Sequence, residues 1–470
     1  MLIDDLQFQK ALRLSDAYYK RHPGDLYAGW ILAQALYHTG KYERSKSIYR
    51  EVIRSFPEQD QVELDFGIRL VMMGDLEEAI SLLNSYLDTH PSSDEARMAL
   101  ARASFWQGKF DRATIEVRKV MQNTPGHPEA LSLYQELEEI QATRLELGSR
   151  FQTDDQPLNS FNLFIQGSTY LSSRLSLTYG LETPFYYSED DQRNAQNIQF
   201  GSRFNFNKLR TILHVEGGIV KLPDGGLTGT GAVSLKQNII DHLQFRISAI
   251  HHPYLHTVAS LSESTLRMDY QAFLGWQEEN GWLGEVGGQV NQFYQEDNWQ
   301  YNLGGWIMTP PWKISLARLR FGYGFNYSNT RKDRFESVRS LEEIESMWND
   351  STDQISGIYS PYFTPMDQKV HSAILSMKFK ISQELTIGLQ SKYGISATIM
   401  QPYLFLNEDE IGNNFIDKDF YKEDYTHIEA HAFVDFPIAK DLKARVDYRY
   451  TQSIFYTSHS ARLVLVKLFK

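Results

Sequence analysis

The nine residues Leu442-Lys443-Ala444-Arg445-Val446-Asp447-Tyr448-Arg449-Tyr450 alternate without a break, apolar at every even position and charged at every odd one up to Arg449. Successive side chains of an extended chain point to opposite faces, so this segment reads as a β-strand with one apolar and one charged face. Leu266 to Leu274, with Arg267 and Asp269 as its charges, reads the same way. So does Leu385 to Ile395, where the odd positions are mostly apolar. Followed outward in both directions, the pattern fills residues 143–470.

Sixteen segments of this kind begin near Arg144, Asn159, Arg174, Gln196, Arg210, Gly229, Leu243, Thr265, Trp282, Asn298, Ala317, Lys369, Leu385, Thr426, Leu442 and Phe455. The count is even, as bacterial membrane barrels require. Short turns fall at Ser172-Ser173, Asn207-Lys208, Asp241-His242, Glu278 to Asn280, Pro310 to Trp312, Ser382 to Glu384 and Lys440-Asp441. Longer connectors lie between them, among them Asn329 to Asp367 and Thr398 to Tyr425. Short turns belong on the periplasmic side and long loops outside. The residues before 143 then lie in the periplasm, because the chain enters the barrel on the short-turn side.

The rival is a soluble sandwich, which must bury one face. Sixteen strands with bulky apolar residues on one face and repeated charges on the other do not close around a filled core; they enclose a wide lumen. The predicted lumen face carries Arg203, Arg246, Arg267, Asp269, Glu285, Arg318, Arg320, Lys378, Lys392, Glu429, Lys443, Arg445, Asp447 and Arg449. Both signs occur, with basic residues in excess. These charges either make a hydrated wall for a polar solute or polymer, or pair across strands and brace the wall. Tyr186, Tyr187, Trp276, Trp282, Tyr294, Trp299 and Trp312 lie near strand ends and read as aromatic girdles facing outer-membrane lipid. The last strand, Leu463 to Phe469, resembles the terminal assembly signal of such barrels, although Lys470 follows it.

Bulk properties agree. The 470 residues contain no cysteine, which suits an oxidising compartment and removes thiol catalysis and thiolate metal sites. The net charge of −12 makes free nucleic acid an unsuitable partner. Mean hydropathy is −0.43, and the sequence has no run of 18 apolar residues, which excludes a helical membrane span but not a barrel. The opening Met1-Leu2-Ile3-Asp4-Asp5 has neither the basic start nor the apolar stretch of a secretory signal, so a longer precursor is expected.

Residues 1–142 follow another rule. Pro23, Pro57, Pro91 and Pro125 are spaced by 34, and so are Gly40, Gly74 and Gly108. Between each Gly and the next Pro runs a helical apolar pattern, such as Leu76, Ala79, Leu83 and Tyr86. Small residues recur at the first-helix crossing: Ala33, Gly67 and Ala101. This resembles the tetratricopeptide repeat, with Gly at the inter-helix turn and Pro after the second helix. A second-helix half (Asp5 to His22) precedes the first full repeat, and a first-helix half (His127 to about Arg144) follows the last. About eight helices result, and the missing cap points to further repeats before residue 1 or to a covering partner. In this family the first helices line a concave groove, which here would include Tyr27, Trp30, Gln34, Tyr37, Arg102, Phe105 and Trp106. These form a docking surface for a peptide or sugar polymer, or they are ordinary inter-helix packing.

Periodic helices followed by a single-chain barrel of sixteen strands resemble the exopolysaccharide export outer-membrane proteins, of the kind that serve cellulose synthase and of the poly-N-acetylglucosamine porin type. Ile358-Tyr359-Ser360-Pro361-Tyr362-Phe363-Thr364-Pro365 loosely resembles a segment before a late strand of the cellulose-type barrel. The resemblance implies that the repeats guide periplasmic or inner-membrane synthase components. It also implies that the barrel passes a polysaccharide chain in transit, with energy coming from synthesis. No cofactor is expected. Two rivals are a protein-handling barrel of the surface-lipoprotein assembly modulator type, with fewer strands, and a structural or adhesion barrel anchoring a periplasmic complex.

Catalysis is not expected. No Gly-x-Ser-x-Gly or His-Glu-x-x-His motif occurs. His251, His252 and His256 cluster at one strand end, as a metal site, a base or interfacial hydrogen-bonders. Asn407 to Asp424 is rich in oxygen ligands but lacks an Asp-x-Asp-x-Asp-Gly loop. The amphipathic piece Ser340 to Trp348 either plugs the pore or caps it outside.

Overall fold

A computed structural model describes residues 7–156, 158–188, 191–240, 242–278, 280–347, 355–382 and 385–470. The chain divides into two compact units, residues 1–141 and 142–469.

Eight helices make up the first unit's described residues: α1 Phe8–Tyr19, α2 Leu26–His38, α3 Tyr42–Ser55, α4 Asp60–Met73, α5 Leu76–Thr89, α6 Asp94–Trp106, α7 Phe110–Asn123 and α8 Pro128–Gln141. Gly40, Gly74 and Gly108 sit in the left-handed region (φ 76°, 86° and 68°), where a side chain is strained, and each reverses the chain between paired helices. Asp25 and Ser93 accept the backbone N–H of Ala28 and Ala96 and so cap α2 and α6. Ala33 and Ala101 are fully buried. A Cβ on Gly67 would stand 2.8 Å from the Leu83 side chain, so the helices meet there only because the residue is small. Leu32, Leu36, Tyr49, Leu70, Leu83 and Leu100 fill the core. The expected helix start at Asp5 lies outside the described residues. The last helix ends at Gln141, not near Arg144, because Thr143 and Arg144 pair with Phe469 and Leu468 and are drawn into the sheet.

The second unit is built on one sheet of nineteen strands, with Phe335–Ser337 and Gly357–Tyr359 pairing as a separate two-stranded sheet. Sixteen of them form a closed antiparallel barrel. The wall strands are β1 Thr143–Asp154, β2 Asn159–Ser172, β3 Leu175–Tyr187, β4 Gln196–Phe206, β5 Thr211–Lys221, β6 Leu227–Ile240, β7 Leu243–Tyr254 and β8 Thr265–Gln277. They continue as β9 Leu283–Phe293, β10 Asn298–Met308, β11 Ala317–Thr330, β12 Gln368–Lys380, β13 Thr386–Glu408, β14 Ile428–Ala439, β15 Leu442–Gln452 and β16 Thr457–Phe469. Closure comes from β1, which pairs with β2 on one side and with β16 on the other, from Thr143↔Phe469 to Asp154↔Ser458. The other three strands, Gln192–Asn194, Trp312–Ile314 and Asn414–Asp424, are extensions at the rims.

The period of two now has a direction. Ile198, Phe200, Val215, Ile219, Val286, Leu303 and Ile307 lie exposed on one face. Their neighbours in sequence, such as Gln199, Glu216, Glu285 and Asn302, lie on the other. A Lys or Arg facing hydrocarbon at mid-membrane costs about 2–4 kcal/mol, so the aliphatic row is the lipid face and the charged row lines the bore. No helix among the described residues is long and apolar enough to cross a membrane; this unit crosses with strands. Tyr186 departs from the girdle expectation: it is buried with Leu158, Ala195 and Leu261, because its parity on β3 points it inward. Tyr187, Trp276, Trp282, Tyr294 and Trp312 are exposed.

The connectors differ from the expected alternation in several places. The segment after Thr398 is not a loop: β13 runs on to Glu408, and Asn414–Asp424 returns against it from Glu408↔Asn414 to Thr398↔Asp424. Strand-like alternation simply continues past the barrel rim. The connector at Pro310 is longer than expected, and Trp312–Ile314 folds back on Ala317, Arg318 and Leu319. On the rim opposite the chain's entry, residues 222–226, 294–297 and 453–456 are short connectors rather than long loops. Of the expected short turns, Asp241, Glu279, Gln383 and Glu384 lie outside the described residues.

Candidate functional site: the barrel bore

Inward positions of β7 to β10 carry a serine and then amides that bond along and across the strands. Ser248 Oγ donates to Gln271 (3.2 Å), Gln271 Nε2 to Gln289 (3.2 Å), Gln289 Nε2 to Asn291 (2.5 Å), and Asn291 Nδ2 to Gln300 (3.3 Å). Each amide has both donors and acceptors, so the track retains capacity for a hydroxylated solute. Aromatic rings stand beside it. Phe273 and Trp306 line a recess of about 440 Å³ together with Gln289, Asn302, Lys392 and Glu429. A second recess of about 410 Å³ shares Asn302, Ser328, Gln368, His427 and Glu429 with the first. It reaches Gln152 and Thr451 on strands across the bore. A third, of about 310 Å³, shares Gln152, His256, Thr451 and Tyr456 with the second. The sequence pattern marked the charges of this wall but not its amides and rings, because polar and aromatic residues occur on both faces of such strands.

The predicted charged residues fall into two groups. Many are paired. Arg246 meets Glu285 at 3.1 Å, Arg267 meets Asp269 at 2.7 Å, Lys392 meets Glu429 at 2.8 Å and Arg445 meets Asp447 at 3.1 Å. Histidines join three of these pairs: His252 on Asp269 (2.9 Å), His427 on Glu429 (3.2 Å) and His431 on Asp447 (2.9 Å). Arg267 also lies over Tyr254 and Arg445 over Phe433. Arg320 donates to the carbonyls of Gly281 and Thr309, both at 2.8 Å, and so ties down the rim. Arg318 and Lys378 are direct cross-strand neighbours, and Arg203 stands opposite His214. Lys443 and Arg449 have no carboxylate within ion-pair distance among the described residues.

The mouth opposite the chain's entry is crossed by residues 358–365. Tyr362 is fully buried; its ring stacks on Phe293 and its hydroxyl donates to Glu296 at 2.6 Å while accepting from Asn298 Nδ2 at 3.1 Å. Thr257 donates to the Pro361 carbonyl, and Thr330 to the Pro365 carbonyl at 3.0 Å. On the far side, Phe363 and Tyr359 lie 5.2 and 5.3 Å from Phe455, in the turn between β15 and β16. The strap therefore runs from β9–β10 to nearly the opposite wall. The short helix Val258–Ser262 enters from another side, with Leu261 packed against Leu158, Tyr186 and Ala195.

The helix expected as plug or cap, Leu341–Met347, packs Ile344 with Ile355 and Leu404 against the hairpin of β13, while Glu342, Glu343, Glu345 and Ser346 are exposed. Trp348 lies outside the described residues. Carboxylates of that hairpin serve local bonds. Asp409 accepts the N–H groups of Asn413 (2.8 Å) and Ile411 (2.9 Å), which hold its carboxyl below the usual range, and Lys418 meets Asp333. Among the described residues no three His, Asp or Glu converge as metal ligands. The histidines diverge too. His251 stands 6.1 Å from the outward Tyr294, His252 is engaged by Asp269, and His256 lines the bore recesses.

In the helical unit, five predicted groove residues have partners within the unit. Trp30 Nε1 and Gln34 Nε2 donate to Asp65 at 2.7 and 2.8 Å, and Tyr49 donates to the same oxygen at 2.6 Å. Arg69 meets Asp65 at 3.2 Å and covers the Tyr37 ring. Phe105 packs on Phe110. Tyr27 and Trp106 are exposed. Arg102, paired with Glu129, lines a recess of about 240 Å³ with Ile68, Met72, Met98 and His127.

Residues 2–60 and 70–137 match models of the tetratricopeptide repeat. A solved bacterial polysaccharide outer membrane secretin is similar at 10% identity and a TM-score of 0.49, covering 70% of this chain and 99% of that one. A thermophilic tetratricopeptide-repeat protein of Thermus thermophilus is similar at 21% identity and a TM-score of 0.26, over 29% of this chain and 75% of that one. YrrB, described as a repeat protein with an unusual peptide-binding site, is similar at 18% identity and a TM-score of 0.26, over 29% of this chain and 70% of that one. No curated protein matches.

Proposed function

For a chain that joins tetratricopeptide repeats to a closed barrel of sixteen strands, we propose export of a polysaccharide through the outer membrane. The observation that carries the reading is the bore wall: a hydrogen-bonded amide track beside aromatic rings, in recesses that adjoin from wall to wall. Sugar rings present hydroxyls at their edges and C–H groups on their faces, and amides with aromatic planes meet both. A pore selects by the donors and acceptors that line it.

The short-connector rim, where the chain enters β1 and leaves β16, faces the periplasm in this reading. The repeats then stand in the periplasm, where exposed Tyr27 and Trp106 and the recess at Arg102 engage components of the synthesis or secretion machinery. The fourteen charged residues predicted from sequence act as bore lining, mostly through pairs that brace the wall and leave it hydrated. The protein-handling alternative called for fewer strands than the sixteen found.

Removing the gene and measuring surface glycan and surface lipoproteins together tests the proposal. Loss of glycan with lipoproteins unchanged is expected; the opposite pattern would transfer the chain to protein handling.

A further inference from the structure

The third recess holds an uncompensated positive charge. Arg150 on β1 and Arg462 on β16 are direct cross-strand partners, and Arg449 on β15 lines the same recess. Like charges directly opposite on a sheet repel and destabilise it. Elsewhere in the bore Arg246, Arg267, Lys392 and Arg445 each have a carboxylate. Here none of the three arginines has one within ion-pair distance among the described residues. Arg462 Nε is buried with no hydrogen-bond partner, and its guanidinium lies 4.9 Å over Phe164. Asp447 is the single carboxylate among the lining residues. It is already taken by Arg445 Nε at 3.1 Å and His431 at 2.9 Å. Arg150 and Arg449 are exposed to the bore, and the hydroxyls of Thr451, Ser458 and Ser460 line the recess beside them.

Three planar donor forks around one recess fit an oxyanion, which accepts two parallel N–H bonds from each fork it meets. The surrounding hydroxyls and the Tyr456 ring suit the sugar that would carry it. We propose that Arg150, Arg449 and Arg462 form a binding station for the acidic group of a glycan, a carboxylate or a sulfate ester, so that the transported polymer is anionic. This rests on the export reading.

The test uses the full chain in detergent and calorimetric titration with tetragalacturonate, a sulfated tetrasaccharide, maltotetraose and inorganic sulfate. An acidic tetrasaccharide binds, with affinity that falls as salt is raised; maltotetraose binds at least about tenfold more weakly. Arg150→Gln combined with Arg462→Gln abolishes the difference between acidic and neutral sugars. Arg462→Lys retains part of it, and Lys422→Gln on the rim hairpin leaves it unchanged. Heat-modifiable migration on gels confirms that each variant's barrel is folded. The stronger of the two acidic tetrasaccharides identifies carboxylate or sulfate ester as the group. Equal binding of acidic and neutral sugars, no binding at all, or an unchanged double variant overturns the proposal. Binding of inorganic sulfate alone overturns its glycan part. Failure of the export reading is seen separately, as surface glycan that persists without the gene while the purified chain still binds.

Discussion

Tyr362 lies flat on Phe293, with ring centroids 3.6 Å apart and planes within 3°, and so fastens the strap at 358–365 across the barrel mouth. A stacked pair contributes about 0.5–1.5 kcal/mol, and a hydrogen bond to a charged group such as Glu296 about 1.5–3 kcal/mol. The closure is thus worth a few kcal/mol. That keeps the strap across the mouth most of the time yet lets it leave on a shift of population.

Tyr362→Ala removes both contributions. Single-channel recording of the full chain in planar bilayers is expected to show open events increased by on the order of tenfold or more. Unchanged open probability would mean that the strap does not obstruct the conducting path.

The assignment of faces is testable with neighbours on β10. Leu303 is exposed on the aliphatic face, and Asn302 lines the bore recesses. Leu303→Arg is expected to destabilise the membrane-inserted barrel by about 2–4 kcal/mol, and Asn302→Arg by far less. Equilibrium unfolding in lipid vesicles measures both; equal losses would reverse or void the assignment.

Sequence periodicity carried the architecture because both halves obey strict rules. The 34-residue register of Pro23, Pro57, Pro91 and Pro125 follows from a helix pair that must repeat to bury its face. Leu442 to Tyr450 alternates because every second side chain meets lipid. What the sequence hid is the content of the mouth. Tyr362 and Leu261 are held by residues far along the chain, at Phe293 and Leu158, and no local period encodes such contacts. Tyr186 looked like a girdle residue because composition near a strand end does not reveal parity. Arg150 and Arg462 escaped notice because they are 312 residues apart in sequence and become neighbours only when the barrel closes between β1 and β16.

Asp65 holds the helical unit together by accepting from Trp30, Gln34, Tyr49 and Arg69. Asp65→Ala leaves these donors partly unsatisfied and an arginine unpaired, at a cost of about 3 kcal/mol. Thermal melting followed by helical circular dichroism in the full chain should show a lower transition for the helices, with the barrel's heat-modifiable migration unchanged.

His38 makes the helical unit acid-sensitive. Burial and then nearby Arg69 hold its imidazole below the ordinary pKa, and its ring stacks on Phe8 at 4.4 Å. A depressed folded pKa means the unfolded chain takes up the proton first. The stability is therefore intact above about pH 6.5 and falls as the pH drops through the folded value. His38→Gln should flatten that fall below about pH 6.5. A helical melting temperature with the same pH slope in both proteins would contradict the assignment.

Export itself is tested most directly inside the bore of living cells. Phe273 lines the first recess beside the amide track. A photocrosslinking phenylalanine analogue placed there should, on illumination during polymer synthesis, attach polysaccharide covalently to the barrel as a glycan-staining, mass-shifted species. It should disappear when synthesis is blocked. Cells that display polymer normally while the illuminated barrel carries no sugar would contradict the account.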